Sequence, residues 1–195
     1  MKILISVIFS LLFTPAIYSQ TDQVGKIIPS SKSEFEACKA VGYLKHSIHV
    51  SKLNGLFSVM LNSGSSLIFR DTQGDDKWIE YVYIGEINNS DFSLISMTGF
   101  NDSNFLLLNR NAGTLDTLIG RPVFSADYKY FACFNNPGTD EKSIIQLFEF
   151  SDSKAIMIKA IDLREQIIIS DIRCISKNSL LARDHINRYW NISIR

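Results

Sequence analysis

The most closely spaced acidic side chains of the sequence could bind a cation, but they lack a complete ligand pattern. Asp71, Asp75 and Asp76 surround Gly74, and a hard cation such as calcium binds several oxygen atoms of a flexible loop. A calcium loop needs alternating acids that end in a distant Glu, and this stretch has neither feature. We therefore interpret it as a solvated hairpin loop and expect no metal.

The three histidines and the serines do not predict a catalytic site. His46 and His49 lie three positions apart, whereas side chains on one face of a strand repeat every second position. His185 follows Asp184, but neighbouring side chains of an extended strand point in opposite directions. No G-x-S-x-G motif or glycine-rich phosphate loop occurs, so neither a hydrolase triad nor a nucleotide site is indicated. We expect no catalytic residue, no cofactor and no enzyme activity.

Aromatic side chains are the best candidates for a binding surface, because Tyr and Trp bury a large area and keep a polar group. In the run from Trp78 to Tyr83, strand alternation places Tyr81 and Tyr83 on one face. The alternative is that these rings form the core between sheets. The candidate surface consists of Trp78, Tyr81, Tyr83, Tyr128 and Trp190.

The three cysteines allow at most one disulfide within the chain. Cys133 and Cys174 both lie in predicted strands, so a bond between them is one alternative. Cys38 lies in a predicted helix, and the other alternative is that all three are small buried apolar residues. No C-x-x-C motif or Cys/His cluster occurs, which argues against a zinc site.

Residues 1–20 have the pattern of a signal peptide. Lys2 supplies a basic start, Ile3–Phe13 an apolar segment, Pro15 a helix breaker and Ser19 a small residue at the cleavage point. The apolar segment is shorter than the ~20 residues that span a bilayer, although an uncleaved anchor is the alternative. We expect an exported protein, periplasmic or extracellular, without membrane contact after cleavage.

Acidic and basic side chains are equal in number, 20 of each, and no basic run occurs. Nucleic acid is therefore excluded as a partner. Residues 21–33 are polar and contain several Ser, which is typical of a linker. Ser33 and Glu36 fit a capping box that begins a short helix over Glu34–Val41. Residues 34–195 then form a single β-repeat domain.

After Gly42 the sequence predicts strands separated by turns with Gly, Asn, Asp or Ser. The predicted strands are Ser47–Ser51, Leu56–Leu61, Ser66–Arg70, Trp78–Ile84, Phe92–Met97, Phe105–Asn109, Leu115–Ile119, Val123–Phe124, Tyr130–Phe134, Ile144–Phe150, Ala155–Ile161, Ile167–Ile175, Ser179–Arg183 and Arg188–Ile194. Short strands with turns at this spacing indicate an all-β sandwich, barrel or propeller.

A repeat favours the propeller among these folds. Apolar strands followed by a polar turn recur at Leu67, Leu106, Leu147 and Tyr189, which are 39, 41 and 42 residues apart. A period of about 40 residues corresponds to one four-stranded propeller blade. The predicted fold is all-β, a propeller-like array of about four antiparallel blades with a short N-terminal helix.

The segment Val123–Ala132, VFSADYKYFA, resembles the strand-start segment of WD40-like and TolB-type β-propeller repeats. In that pattern an apolar pair precedes Ser-Pro-Asp-Gly-Lys, and Ser125, Asp127 and Lys129 stand at matching positions. Ala126 replaces the Pro and Tyr128 replaces the Gly. The arrangement also resembles uncharacterised exported bacterial proteins whose core contains a turn, a Gly-x-Pro and a Ser-x-Asp. The resemblance implies binding of a protein or ligand and carries no catalytic residue.

These observations predict an exported β-propeller-like binding or scaffold protein whose partner is another protein or a small ligand. An alternative is a periplasmic immunity or inhibitor protein that blocks a toxin or hydrolase. A third is a hydrolase or lyase with an unrecognised carboxylate site.

Overall fold

The computed structural model describes residues 26–45, 50–74, 78–100, 103–135, 142–163 and 167–194. The predicted signal peptide, His46, His49, Asp75 and Asp76 lie outside these ranges, as does most of the predicted strand Ser47–Ser51.

Strands dominate the described residues, which confirms the all-β prediction. The one helix described is α1 (Lys32–Ala37). The strands are β1 (Ile27–Pro29), β2 (Leu44–Lys45), β3 (Leu56–Met60), β4 (Ser66–Arg70), β5 (Ile79–Ile87), β6 (Phe92–Gly99), β7 (Ser103–Asn109), β8 (Thr114–Leu118), β9 (Val123–Phe124), β10 (Tyr130–Phe134), β11 (Ser143–Ser151), β12 (Lys154–Leu163), β13 (Ile169–Arg173), β14 (Ser179–Asp184) and β15 (Tyr189–Ser193).

The strands form antiparallel sheets that follow one another along the chain. β3 and β4 form the hairpin, and β2-β5-β6-β7-β8 form the five-stranded sheet. The middle sheet has the order β12-β11-β10-β9. The terminal sheet has the order β1-β15-β14-β13, so its outer strand comes from the N-terminal part of the chain.

The period near 40 residues corresponds to a repeat in these sheets. Leu106 lies on β7, Leu147 on β11 and Tyr189 on β15. Each of these is the third strand of a run of four neighbours, which are β5–β8, β9–β12 and β13–β15 with β1. The spacing of these three residues is therefore the spacing of equivalent strands. The fourth residue of the predicted repeat, Leu67, lies on β4 of the two-stranded hairpin and has no such position.

Apolar clusters fill the spaces between successive sheets, because several strands bury both faces. On β7, Leu106 and Leu108 pack against the hairpin, whereas Leu107 belongs to the cluster shared with the middle sheet. On β10, Phe131 faces the five-stranded sheet and Ala132 faces the terminal sheet. This alternation follows from the two-residue period of a strand.

The prediction that residues 21–33 form a linker is wrong for the part that the structure describes. Residues Ile27–Pro29 pair with β15, and Ile27 packs against the apolar cluster between the middle and terminal sheets. The helix begins earlier than predicted, with Ser31 as the N-cap. The Ser31 hydroxyl accepts a hydrogen bond from the Glu34 N–H, and the Glu34 carboxylate accepts one from the Ser31 N–H. The capping box is therefore real but lies two residues before the predicted one.

Two predicted turns have the expected geometry. Asn54 (φ 50°) and Gly55 (φ 71°) connect Leu53 to Leu56, which exchange backbone hydrogen bonds. Positive φ at both central residues is typical of an Asn-Gly hairpin turn. Tyr128, at the Gly position of the propeller-repeat pattern, also has a positive φ of 59°.

The prediction of a Cys133–Cys174 disulfide is wrong. Cys174 is bonded to Cys38, with 5.6 Å between the two Cα atoms. Cys133 is a free, fully buried thiol in the cluster between the five-stranded and middle sheets. Cys133 points away from the terminal sheet because its neighbour Ala132 occupies the face directed there. Burial raises the pKa of the Cys133 thiol well above its ordinary value.

Candidate functional site

Tyr81 and Tyr83 share a face of β5, as predicted, and that face packs against the hairpin. The Tyr81 ring lies 5.6 Å from the ring of Phe69, and the Tyr83 ring lies 6.2 Å from that of Phe57. These two tyrosines therefore contribute to the core between two sheets.

The other three predicted aromatics lie elsewhere. The Tyr128 ring packs on Phe124 at 5.9 Å and belongs to the cluster between the five-stranded and middle sheets. Trp190 packs against the cluster between the middle and terminal sheets. Trp78 is 38% exposed just before β5. The structure does not bring the five aromatics together into one surface.

Asp71 of the predicted loop has a structural role. Its carboxylate contacts Lys52 Nζ at 2.6 Å and accepts a hydrogen bond from the Tyr81 N–H at 2.9 Å. Burial would raise the pKa of Asp71, but these two partners bring it below the usual aspartate value. Among the described residues, no three His, Cys, Asp or Glu side chains come together as metal ligands. The helix within those residues is also too short to cross a bilayer.

Residues 38–45, which we call the strap, cross three sheets in succession. Cys38 is bonded to Cys174 beside the terminal sheet. The Gly42 carbonyl accepts a hydrogen bond from the Tyr128 hydroxyl of the middle sheet at 2.7 Å. Leu44 pairs with Ile87 in the five-stranded sheet. The strap is therefore attached covalently, by side-chain hydrogen bonding and by strand pairing.

An open cleft of about 740 Å³ lies beside the strap. One wall is formed by the strap itself, a second by the loop between β8 and β9, and a third by the end of β13. The side chains that line it are mainly apolar; they include Val41, Phe105, Ile119, Val123 and Phe134. The volume is within the range of about 300–1,000 Å³ that is usual for small-molecule sites.

Arg121 provides an exposed cation in this cleft. Its Nε donates a hydrogen bond to the Tyr43 hydroxyl at 3.3 Å. The Tyr43 ring is buried and lies 4.7 Å from the ring of Phe124. Burial raises the pKa of Tyr43, and the Arg121 guanidinium only partly opposes that rise. Tyr43 is therefore a neutral hydroxyl that orients Arg121.

The second cation of the cleft, Arg173, is already engaged. Its Nε lies 3.5 Å from the Asp171 carboxylate, and one Nη donates to the Cys38 carbonyl at 3.3 Å. Its guanidinium carbon also lies 4.7 Å above the Phe35 ring. Asp171 has a second cationic neighbour, Arg183, at 3.8 Å. These contacts fix the β13 wall next to the disulfide.

Gly120 allows the loop between β8 and β9 to pack closely on β10. A Cβ atom at this position would lie 2.0 Å from the Phe134 carbonyl oxygen, which is closer than any atomic contact permits. Only glycine fits there without a shift of backbone. The preceding residue Ile119 and the following residue Arg121 both line the cleft, so this contact positions their wall.

The residues that line the cleft do not stand out in the sequence. The stretch Gly120-Arg121-Pro122 is recognisable only as a break between two strands, and Tyr43 as one aromatic among several. The hydrogen bond between Tyr43 and Arg121 joins positions 78 residues apart. No local pattern contains such a contact.

Comparisons with known proteins do not identify a relative: no family model, no curated protein and no solved structure matches this chain.

Proposed function

We propose that this is an exported, non-catalytic binding protein with a propeller-like array of sheets, and that its ligand site is the cleft beside the strap. The observation that carries the proposal is the fixed geometry of the cleft. Three walls from different parts of the chain are joined by a disulfide and by hydrogen bonds. A preformed cavity binds with a smaller entropic cost than one that must be ordered first.

The propeller-like arrangement is supported by the equivalent runs of four antiparallel strands. The terminal sheet combines three C-terminal strands with β1, so it contains the first and the last of the described strands. Each apolar cluster is shared by neighbouring sheets, as in repeat proteins whose units depend on their neighbours.

A binding role is favoured over catalysis by the state of the polar groups in the cleft. Asp171 is paired with two arginines, and Tyr43 has a raised pKa that keeps it protonated. The Tyr43 hydroxyl is therefore not suited to accept a proton near neutral pH, and the Asp171 carboxylate is engaged by its two cationic neighbours.

Export is supported by two independent features. The N-terminal sequence has the signal-peptide pattern, and the Cys38–Cys174 disulfide is of a kind that persists in oxidising compartments. We propose a periplasmic or extracellular location on this basis.

A fragment screen by NMR tests the binding role. The isoleucine methyl groups would be observed in protein that starts at Lys26. We expect bound compounds to shift the signal of Ile119, which lines the cleft. The exposed Ile68 and Ile156 serve as controls. Shifts confined to the controls, or turnover of a compound in a parallel hydrolase assay, would contradict the proposal.

A further inference from the structure

The charged side chains of the cleft leave an unbalanced positive charge. Among its described lining residues the charged groups are Arg121, Asp171 and Arg173. Asp171 is paired with Arg173 and also contacts Arg183. No carboxylate of the described cleft lining therefore neutralises Arg121, whose guanidinium is exposed. This charge distribution favours an anionic ligand.

Arg121 is oriented so that part of its guanidinium stays available. The hydrogen bond to the Tyr43 hydroxyl uses Nε, and Tyr43 is itself buried beneath the loop. A guanidinium held through Nε can present its two Nη groups to an oxyanion. Planar groups such as a carboxylate match this geometry with two parallel hydrogen bonds.

The remaining surface of the cleft is apolar. Phe105, Ile119 and Val123 are half-buried, so each still has surface to cover. An apolar group that enters the cleft would displace water from these side chains, which is favourable in proportion to the area covered. The ligand should therefore combine an apolar body with one charged end.

We propose that the cleft binds a small organic carboxylate with an apolar body and that Arg121 binds its carboxylate group. This inference rests on the proposed function because it concerns the same cleft. The cavity volume of about 740 Å³ matches a small molecule. Arg121 then determines specificity for the anion, while the apolar walls bind the rest of the ligand.

Isothermal titration calorimetry with two matched pairs of compounds tests the inference. The pairs are octanoate with octan-1-ol, and 3-phenylpropanoate with 3-phenylpropan-1-ol. We expect each carboxylate to bind the wild-type protein at least about ten-fold more tightly than its alcohol, because charge-assisted hydrogen bonds contribute at least that much. Equal affinity within both pairs would overturn the inference.

Variants identify the residue responsible. Arg121→Gln should reduce the carboxylate-to-alcohol affinity ratio to about one, since the charge is lost. Arg121→Lys keeps the charge without the planar fork and should retain part of the ratio. Arg70→Gln is the matched control, because Arg70 is exposed on β4 of the hairpin, and it should leave the ratio unchanged. A ratio that survives Arg121→Gln would assign the anion to another group and overturn the inference.

The two proposals can fail separately. If all four compounds fail to bind while other fragments shift the cleft signals, the carboxylate inference is overturned and the binding role stands. If no compound of any kind perturbs the cleft, both are overturned.

Discussion

Asp184 lies at the end of β14, and its side chain is completely buried. The carboxylate accepts hydrogen bonds from the Arg188 N–H at 2.8 Å, the Arg188 Nε at 2.7 Å, the Ile186 N–H at 3.1 Å and the Trp190 indole N–H at 3.1 Å. A buried carboxylate with several donors organises the turn around itself. Asp184 thus holds the connection between β14 and β15.

Asp184→Asn should lower the free energy of unfolding at pH 7 by about 2–3 kcal/mol, because an amide replaces one acceptor oxygen with a donor that faces other donors. Urea unfolding measures this change. Asp162→Asn is the matched control, since its ion pair with Lys142 is exposed, and it should cost less than about 1 kcal/mol. Equal effects of the two variants would contradict the structural role.

The same variant should change the pH dependence of stability. Burial would raise the pKa of Asp184, but hydrogen bonds from Arg188 and Trp190 bring it below the usual aspartate value. A lowered pKa in the folded protein stabilises it above the unfolded pKa of about 3.9, and this stabilisation is lost as the pH falls through the folded value. Between pH 5 and pH 2, the free energy of unfolding of Asp184→Asn should therefore fall less than that of the wild type. The difference should correspond to the titration of about one carboxylate.

A substitution at Gly120 tests whether the close packing of the loop between β8 and β9 on β10 maintains the shape of the cleft. Gly120→Ala should lower the free energy of unfolding by about 1–3 kcal/mol, because the added methyl group would overlap the Phe134 carbonyl and force the loop to move. Ligand binding in the cleft should weaken as well. Gly42→Ala is the control in the strap: a Cβ atom added at Gly42 would have no atom within 4 Å apart from those of Gly42 and its two chain neighbours, so stability should change by less than about 0.5 kcal/mol.

At the scale of elements, the strap and β13 are joined by the Cys38–Cys174 disulfide, which closes a loop over 136 positions. Replacement of both cysteines by Ala should lower the free energy of unfolding by about 2–5 kcal/mol, because the unfolded chain gains conformational freedom. Chemical unfolding with and without dithiothreitol measures this effect. Reductant should destabilise the wild type and leave the double variant unchanged; an equal effect on both would implicate another reducible group.

Elements with a clear local pattern were predictable from the sequence. Ser66–Arg70 and Tyr130–Phe134 were predicted with the bounds that the structure has. Strand β1 was missed, because three residues at the edge of a sheet have no periodicity to detect. The start of the helix was predicted at Ser33 and not at Ser31, because each of these serines is followed within three positions by a Glu.

Long-range contacts were not predictable from the sequence. Cys133 and Cys174 both belong to apolar strand patterns, yet Cys133 is buried within β10 whereas Cys174 is exposed just after the end of β13. Tyr43 meets Arg121 only because the strap crosses the sheets. The five candidate aromatics satisfy the composition rule for a binding surface, but that rule contains no information on which rings are neighbours. The position and lining of the cleft could therefore be recognised only in the structure.

At the scale of the whole molecule, the middle sheet should depend for its stability on the terminal sheet, because the two share an apolar cluster. A fragment that ends at Leu163 would expose the middle-sheet residues Ile145, Leu147 and Ile161, which are fully or almost fully buried. Each such side chain contributes about 1.5–3 kcal/mol when buried. We expect the fragment to lose cooperative unfolding in a calorimetric scan. A sharp transition at the temperature of the full chain would show that the sheets are independent.

The pairing of β1 with β15 has a consequence for how the protein is made. The Ser193 hydroxyl donates to the Lys26 carbonyl across 167 positions of the chain, so β1 cannot pair with β15 until the residues between them have been synthesised. Contacts at such separation form slowly. A polypeptide of this design leaves β1 without its sheet neighbour until β15 has been synthesised, which fits the export proposed above, in which the chain crosses a membrane before it folds.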